Sequence, residues 1–167
     1  MRPDPRRPTD IIANPPAPAQ DDPRMRDARL AMKVDGACLC GAVTYEAEID
    51  PDRVVICHCS DCQINSGSAY GIVASVTDGK FRLTTGQLRE YEKSAASGRR
   101  RQLSFCPECG TRIHARTKSD PGAFFGLRVG TIRQRAVLMP RVQVWCGSAL
   151  PWVSDLSPIS RRMAQEE

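Results

Sequence analysis

The sequence predicts one mainly β domain of antiparallel strands, with one or two short helical turns. Three observations support this fold class. Short apolar runs, several of them alternating with polar residues, recur with turn residues about every 8–12 positions. No window of about 11 residues or more follows the helical period. The 167 residues are about the length of one ordinary domain with tails.

The composition allows a core that is poor in large rings, because aromatic residues make up only 5% of the chain. No apolar run approaches the roughly 20 residues that a membrane-spanning helix needs, so no membrane partner is expected. The net charge of +5 permits an anionic ligand. The chain lacks a block of about five or six like charges, so nucleic-acid binding is not expected.

The first predicted strand alternates, with Val43, Tyr45, Ala47 and Ile49 on one face. The segment 50–52, Asp-Pro-Asp, is typical of a turn, and 53–57 reads as a short buried strand. Residues 61–66 are polar and compact, as expected for one or two helical turns that Gly67 would end.

The remaining strands are predicted from similar short patterns. Residues 69–76 form an apolar run, and Asp78-Gly79 predicts a hairpin before a strand at 80–83. Residues 88–93 alternate again, and 94–98 form a loop. Strands at 101–105 and 111–115 flank a cysteine-rich turn, and those at 123–129 and 141–146 complete the set.

Both ends of the chain differ from the middle, so we expect the folded domain to span residues 34–156. Seven of the 13 prolines lie in residues 1–33, which have no apolar period and are predicted to be a disordered tail. This tail has neither an apolar secretory core nor the acid-poor composition of a transit peptide. Whether Met32 is the natural start stays open. Residues 157–167 are a polar tail.

Seven of the eight cysteines fall into three clusters: Cys38-Leu39-Cys40, then Cys57-His58-Cys59-Ser60-Asp61-Cys62, then Cys106-Pro107-Glu108-Cys109-Gly110. Disulfides belong to oxidising compartments, and the absence of a secretory signal favours a cytoplasmic protein. An extended Cys-x-Cys points both thiols to one side, and Cys-x-x-Cys-Gly wraps a tight loop around an ion. The pattern therefore favours zinc over disulfides.

The ligand count suggests two unequal zinc sites. Cys38, Cys40, Cys106 and Cys109 make the four ligands of a closed structural site, which leaves three for an open one. Spacing alone also allows a zinc site whose ligands come from the second and third clusters. A second structural site is also open, with His58 or His114 as fourth ligand, although His58 is more typical of a hydrogen-bonded neighbour and His114 of strand surface. Cys146 stands alone and is expected in a core strand. Trp145 and Trp152 are expected to serve packing rather than substrate contact.

The segments GACLCGAVTYE, CHCSDCQINSGS and FCPECGTRIHA resemble the glutathione-dependent formaldehyde-activating enzyme family, whose domain also occurs in centromere protein V. The resemblance runs from about Gly36 to Trp152. The resemblance implies a β-tent-like fold of antiparallel sheets held together by zinc. It implies a structural zinc on the first and third clusters and a labile zinc on Cys57, Cys59 and Cys62. Gln63 and Gln143 depart from the basic residue and the histidine common in the family.

The resemblance also implies an activity, a carbon–sulfur lyase reaction that joins glutathione and formaldehyde. In this hypothesis Cys57, Cys59 and Cys62 are the catalytic residues, holding a zinc at which a substrate thiol is deprotonated before it attacks a small aldehyde. Backbone N–H groups of the loop Asn65, Ser66, Gly67 and Ser68 would hold a glutathione carboxylate, although this loop also reads as a plain turn. The run 99–101 of three arginines would attract an anionic substrate or simply face water.

Two further hypotheses stay open. The domain could be a non-catalytic, zinc-held glutathione-binding or interaction module, although the mixed charge of the N-terminal tail, +2, gives no basic arm. The exposed thiolates could instead sense oxidants or store metal, since zinc-bound cysteines release their ion when oxidised.

Overall fold

The computed structural model describes residues 31–95, 98–118 and 124–164, apart from the side chains of residues 78 and 79. Most of the predicted N-terminal tail lies outside these residues. Within them, eight strands and one α-helix follow the order β1 (Met32–Ala37), β2 (Thr44–Cys57), α1 (Ser60–Ser66), β3 (Gly71–Thr85), β4 (Arg89–Ser94), β5 (Arg100–Phe105), β6 (Arg112–Thr117), β7 (Phe125–Arg128) and β8 (Val142–Val144). No helix in this part of the chain is long and apolar enough to cross a membrane.

The strands form one sheet in the order β1-β2-β3-β7-β6-β5-β4, and every neighbouring pair in this order is antiparallel. The short strand β8 pairs in parallel with the last residues of β2. Because β3 covers one edge of β2 along its length, β1 and β8 share the other edge. The predicted mainly β, antiparallel fold class is confirmed.

Strand β2 carries the predicted alternation, since Val43 just before it and Tyr45, Ala47 and Ile49 within it are all buried. The predicted turn at 50–52 is wrong, because β2 runs through it without ending. The register with β3 steps from Asp50–Ser75 to Val54–Ala74, so the extra residues form a bulge. Proline is tolerated in such a bulge because its missing N–H is not required there.

Strand β3 replaces the predicted hairpin at Asp78-Gly79. It continues through these two residues, and its pairing with β2 steps from Ile49–Val76 to Ala47–Phe81. The irregular register shows that this Asp-Gly pair lies in a bulged strand rather than in a reversal of the chain. Long-range pairing with β2 thus overrides the local turn preference.

The predicted helical turns are confirmed as α1, which ends where Gly67 adopts a left-handed backbone with φ of 62°. The C-terminal segment differs more from expectation. Cys146 begins an exposed 3₁₀ turn, so its predicted place in a core strand is wrong. Trp145 and Trp152 are both about half-exposed.

His114 on β6 is buried, with only 5% of its surface exposed, so its predicted place on the strand surface is wrong. Its ring lies 5.0 Å from that of Phe81 and 4.7 Å from that of Phe125. Its Nδ1 has no hydrogen-bond partner among the described residues. Burial, assisted by the positive charge of Arg116, lowers the pKa of His114 to about 4.

This buried histidine should make the protein less stable in mild acid. In the unfolded chain a histidine binds its proton near pH 6.5, whereas folded His114 binds one only near pH 4. The free energy of unfolding is therefore unaffected by this titration above pH 6.5. It falls as the pH drops toward 4, by up to about 3 kcal/mol, because the unfolded chain binds the proton first. Urea unfolding of the zinc-loaded protein between pH 7 and 5 measures this slope.

The variant His114→Phe supplies the control, because it keeps an aromatic ring against Phe81 and Phe125 without a titrating group. Its free energy of unfolding should fall less steeply than that of the wild type over the same pH range. Identical slopes would mean that the acid sensitivity arises from other groups, such as the cysteines.

Candidate metal centres and adjoining cleft

Four cysteines converge from two loops that are distant in the sheet order. Cys38 and Cys40 lie between β1 and β2, and Cys106 and Cys109 lie between β5 and β6. The backbone N–H of Leu39 also donates to Thr111 Oγ1 across the two loops, at 3.1 Å. Because these strand pairs stand toward opposite ends of the sheet order, the sheet folds over to bring the loops together. We call these residues the four-cysteine site.

The sulfur spacing of the four-cysteine site fits a tetrahedral zinc ion. Sγ of Cys38 is 3.5 Å from that of Cys40, which is 3.9 Å from that of Cys106, and all four lie within 4.8 Å of one another. Zinc–sulfur bonds of about 2.3 Å place tetrahedral ligands about 3.8 Å apart. The site could therefore hold a metal ion with all four positions filled by protein.

Hydrogen bonds favour the thiolate, the form in which cysteine binds metal, at two of these four cysteines. The N–H of Val43 donates to Cys38 Sγ at 3.2 Å. Hydrogen bonds from the side chain and backbone of Thr111 lower the pKa of Cys109 to about 5. Cys38 and Cys106 are buried, so thiolates at these positions would need a cation to balance their charge.

The second group consists of Cys57, Cys59 and Cys62, which we call the three-cysteine site. Cys57 ends β2, Cys59 is the N-cap of α1, and Cys62 lies in its first turn. The N–H of Cys62 donates to Cys59 Sγ at 3.4 Å, as an N-cap side chain accepts from the first turn. The end of the strand and the start of the helix therefore bring the three sulfurs together.

The three sulfurs also lie within 4.8 Å of one another, with Cys57 Sγ 3.4 Å from Cys59 Sγ. All three residues are partly exposed. Hydrogen bonds from the thiols of Cys57 and Cys62 lower the pKa of Cys59, and contacts with Cys59 and Cys62 raise that of Cys57. The donors suit one face of a zinc ion, with one position left over.

No fourth histidine, cysteine or carboxylate joins this group in the described part of the chain. His58 is buried and turned to Gln143, whose Oε1 is 2.8 Å from its Nε2, so the expected hydrogen-bonded neighbour is confirmed. His114 lies among the aromatic rings instead. Because the cysteines of the first cluster group with those of the third, the alternative that joins the second cluster to the third is wrong.

Two glutamines hold this site against the C-terminal segment. Gln63 Nε2 donates to the backbone oxygens of His58 and Ser148, at 2.7 and 2.9 Å, and Gln143 contacts the His58 ring. In the sequence, these two glutamines stood out only because they differ from the residues common in the family that the chain resembles. In this structure both residues serve to position α1 and His58.

An open cleft of about 570 Å³ lies between the end of α1 and the loop of Cys109. The four predicted glutathione contacts, Asn65, Ser66, Gly67 and Ser68, all line it. However, the N–H groups of Gly67 and Ser68 already donate to the helix carbonyls of Ile64 and Gln63. These two amides are therefore not free to hold a carboxylate as the sequence hypothesis required.

The basic residues of the cleft are Arg112 and Arg128, which the sequence analysis did not single out. The predicted run at 99–101 is not part of the lining. Within it, Arg100 pairs with Glu92, and Arg101 lies over the ring of Phe124. No motif marks Arg128, because its place follows from the pairing of β7 with β3.

Comparisons with known proteins agree with this arrangement. No curated protein matches the chain. The fold is similar to the crystal structure of a Rhodobacter sphaeroides protein, with a TM-score of 0.51 and 24% identity, covering 65% of this chain and 98% of that one. The family described as glutathione-dependent formaldehyde-activating enzyme matches residues 33–148, which include both cysteine sites and most of the strands. The chain belongs to the glutathione-dependent formaldehyde-activating enzyme family.

Proposed function

We propose that this chain is a zinc-dependent carbon–sulfur lyase, which joins glutathione or a related thiol to formaldehyde or another small aldehyde and also cleaves the product. Membership of the family supports this reaction class. The observation that carries the proposal is the three-cysteine site, whose convergent sulfurs have no fourth ligand among the described residues. Cys57, Cys59 and Cys62 are not part of the cleft lining, but Gly71, which lines the cleft, lies next to Cys62, so a substrate thiol could approach the site from there.

The proposal assigns one zinc ion to each cysteine site. The four-cysteine site would hold a structural ion, and the three-cysteine site a labile one. When bound at the three-cysteine site, zinc would act as a Lewis acid that favours the thiolate form of an entering thiol. Cys57, Cys59 and Cys62 would hold that ion from one side, and the His58–Gln143 hydrogen bond would fix the backbone between the first two.

The proposed reaction is an addition without oxidation or reduction. The substrate sulfur forms a bond to the aldehyde carbon, the π electrons of the carbonyl move to its oxygen, and the proton lost by the thiol ends on that oxygen. The product is a hemithioacetal. Because thiols add to formaldehyde unaided, the protein need contribute mainly proximity and a deprotonated thiol.

We propose that Asn65, Ser66, Gly67 and Ser68 border the bound thiol substrate, since all four line the cleft. The hydroxyl of Ser66 donates to the Cys62 carbonyl and that of Ser68 to the Tyr70 carbonyl, both at 2.7 Å, and these bonds fix the shape of this wall. The engaged amides of Gly67 and Ser68 leave side chains as the polar contacts.

We also propose a cytoplasmic location. All eight cysteines are free thiols, and reduced thiols in this number persist in a reducing compartment. A reducing environment also keeps the metal-binding sulfurs from oxidation.

The test is NMR exchange spectroscopy of glutathione with formaldehyde in the presence of the two-zinc protein. The wild type should exchange free and adduct forms faster than buffer does, and Cys59→Ser should lose at least about tenfold of that excess, a change of about 1.4 kcal/mol. Cys146→Ser, outside both sites, should match the wild type.

A lack of acceleration across several aldehydes would contradict the enzyme. If glutathione nevertheless bound, the non-catalytic glutathione-binding module would be the better description. Both conclusions require that the protein used in the experiment contain about two zinc ions per chain, which metal analysis measures.

A further inference from the structure

We propose that Arg128 binds an acidic group of the thiol substrate and so makes the site selective for anionic thiols over neutral ones. This inference rests on the function proposed for the three-cysteine site. It adds a specificity-determining residue in the cleft that no sequence motif indicated.

The first argument is the position of the guanidinium group. Arg128 is the last residue of β7, and it pairs with Val73 on β3. A Cβ built on Gly71 would lie 2.5 Å from Arg128 Nη1 and 3.5 Å from Cys62 Sγ. The guanidinium therefore occupies space that only a glycine leaves, directly beside the three-cysteine site.

The second argument is that Nη1 of this guanidinium lacks a hydrogen-bond partner among the described residues, although its positive charge acts on Cys62. Arg128 Nη1 is buried and makes no hydrogen bond within the described residues. Other arginines pair with carboxylates: Arg82 with Glu46, Arg133 with Asp35 and Arg141 with Asp52. A buried, charged donor without an acceptor is costly. An anionic ligand would supply the missing acceptor.

The third argument is the charge of the cleft. Arg112 and Arg128 line it, and no aspartate or glutamate is among its described lining residues. The Arg112 guanidinium lies over the ring of Phe105, 4.8 Å from its centroid, so its face is already used. Of the two, Arg128 is the better placed for a ligand near Cys62, because its Nη1 and Cys62 Sγ both border the Gly71 position.

These features define the ligand chemistry. A thiol that enters beside Cys62 and carries a carboxylate could place this carboxylate on Arg128, since guanidinium and carboxylate match in geometry. The cleft of about 570 Å³ is within the range of small-molecule sites, so a peptide-sized thiol is reasonable. A neutral thiol would leave Nη1 without its acceptor.

The experiment measures thiol binding to protein whose three-cysteine site carries cobalt, by the change in the cobalt spectrum. Glutathione is compared with its diethyl ester, which keeps the thiol but masks both carboxylates. Arg128→Gln should weaken glutathione binding by about 10- to 100-fold, as expected for a charged hydrogen bond, and leave the ester unchanged. Arg128→Lys should restore part of the loss.

Arg82→Gln is the matched control, because it removes an arginine that pairs with Glu46 outside the cleft, and it should leave glutathione binding unchanged. If Arg128→Gln fails to fold, Gly71→Ala replaces it, since its methyl group would meet Arg128 Nη1. Equal binding of glutathione and ester that neither variant alters would overturn the role of Arg128 and leave the proposed function intact.

The failure of the proposed function looks different. In that case no thiol, acidic or neutral, alters the cobalt spectrum of the wild type. Calorimetry with S-methylglutathione, whose thiol is blocked, then tests Arg128 alone. Binding that depends on Arg128 would support the anion site, and no binding would overturn it.

Discussion

Replacing Cys106 by serine should leave no stably folded protein. Cys106 is fully buried and joins the β5–β6 loop to Cys38 and Cys40 in the β1–β2 loop. Binding of a structural zinc contributes about 10–16 kcal/mol in small domains, whereas whole domains are stable by only about 5–15 kcal/mol. We expect circular dichroism of Cys106→Ser to show loss of the β spectrum and zinc analysis to show neither ion.

Two other cysteine variants make this expectation specific. Cys146→Ser changes an exposed thiol outside both sites and should retain two zinc ions and the wild-type melting temperature. Cys62→Ser changes a partly exposed thiol of the three-cysteine site and should keep the fold with about one zinc ion per chain. A folded Cys106→Ser protein with wild-type stability would show that the four-cysteine site does not hold the sheet together.

Local pattern indicated the three-cysteine site, because its geometry is set within six residues, whereas spacing alone left open which cluster pairs with Cys106 and Cys109. Cys57 and Cys59 are two positions apart in extended chain, so their sulfurs face the same side. Cys59 and Cys62 then follow the geometry of a helix N-cap. The strand predicted from the alternation around Tyr45 was confirmed for a similar reason, because one face of β2 is buried along several residues.

The errors arose where distant segments decide the outcome. The turn predicted at 50–52 and the hairpin at Asp78-Gly79 are bulges because β2 and β3 pair along nearly their whole length. His114 is buried because β6 packs its ring against Phe81 of β3. Arg128 likewise reaches the three-cysteine site only through the pairing of β7 with β3, and no spacing rule can anticipate that contact.

A mild chelator should remove one of two zinc ions and abolish thiol binding while the fold remains. The three-cysteine site offers only three protein ligands, all partly exposed, whereas the four-cysteine site has four, two of them buried. A chelator can therefore reach an ion at the first site without moving the sheet. Absorbance of a coloured chelator should report one fast zinc equivalent, and circular dichroism at the same time should show no change.

Adding glutathione tests whether the fast zinc release reflects an open ligand position or only the greater solvent exposure of the three-cysteine site. If a thiol takes the remaining position at the three-cysteine site, saturating glutathione should slow the fast phase, and the slow phase should be unaffected. Arg128→Gln should weaken this protection at intermediate glutathione concentrations, because the acidic group has lost its partner. Release of both ions at one rate, or of one ion together with the β spectrum, would contradict the division into a structural and a labile site.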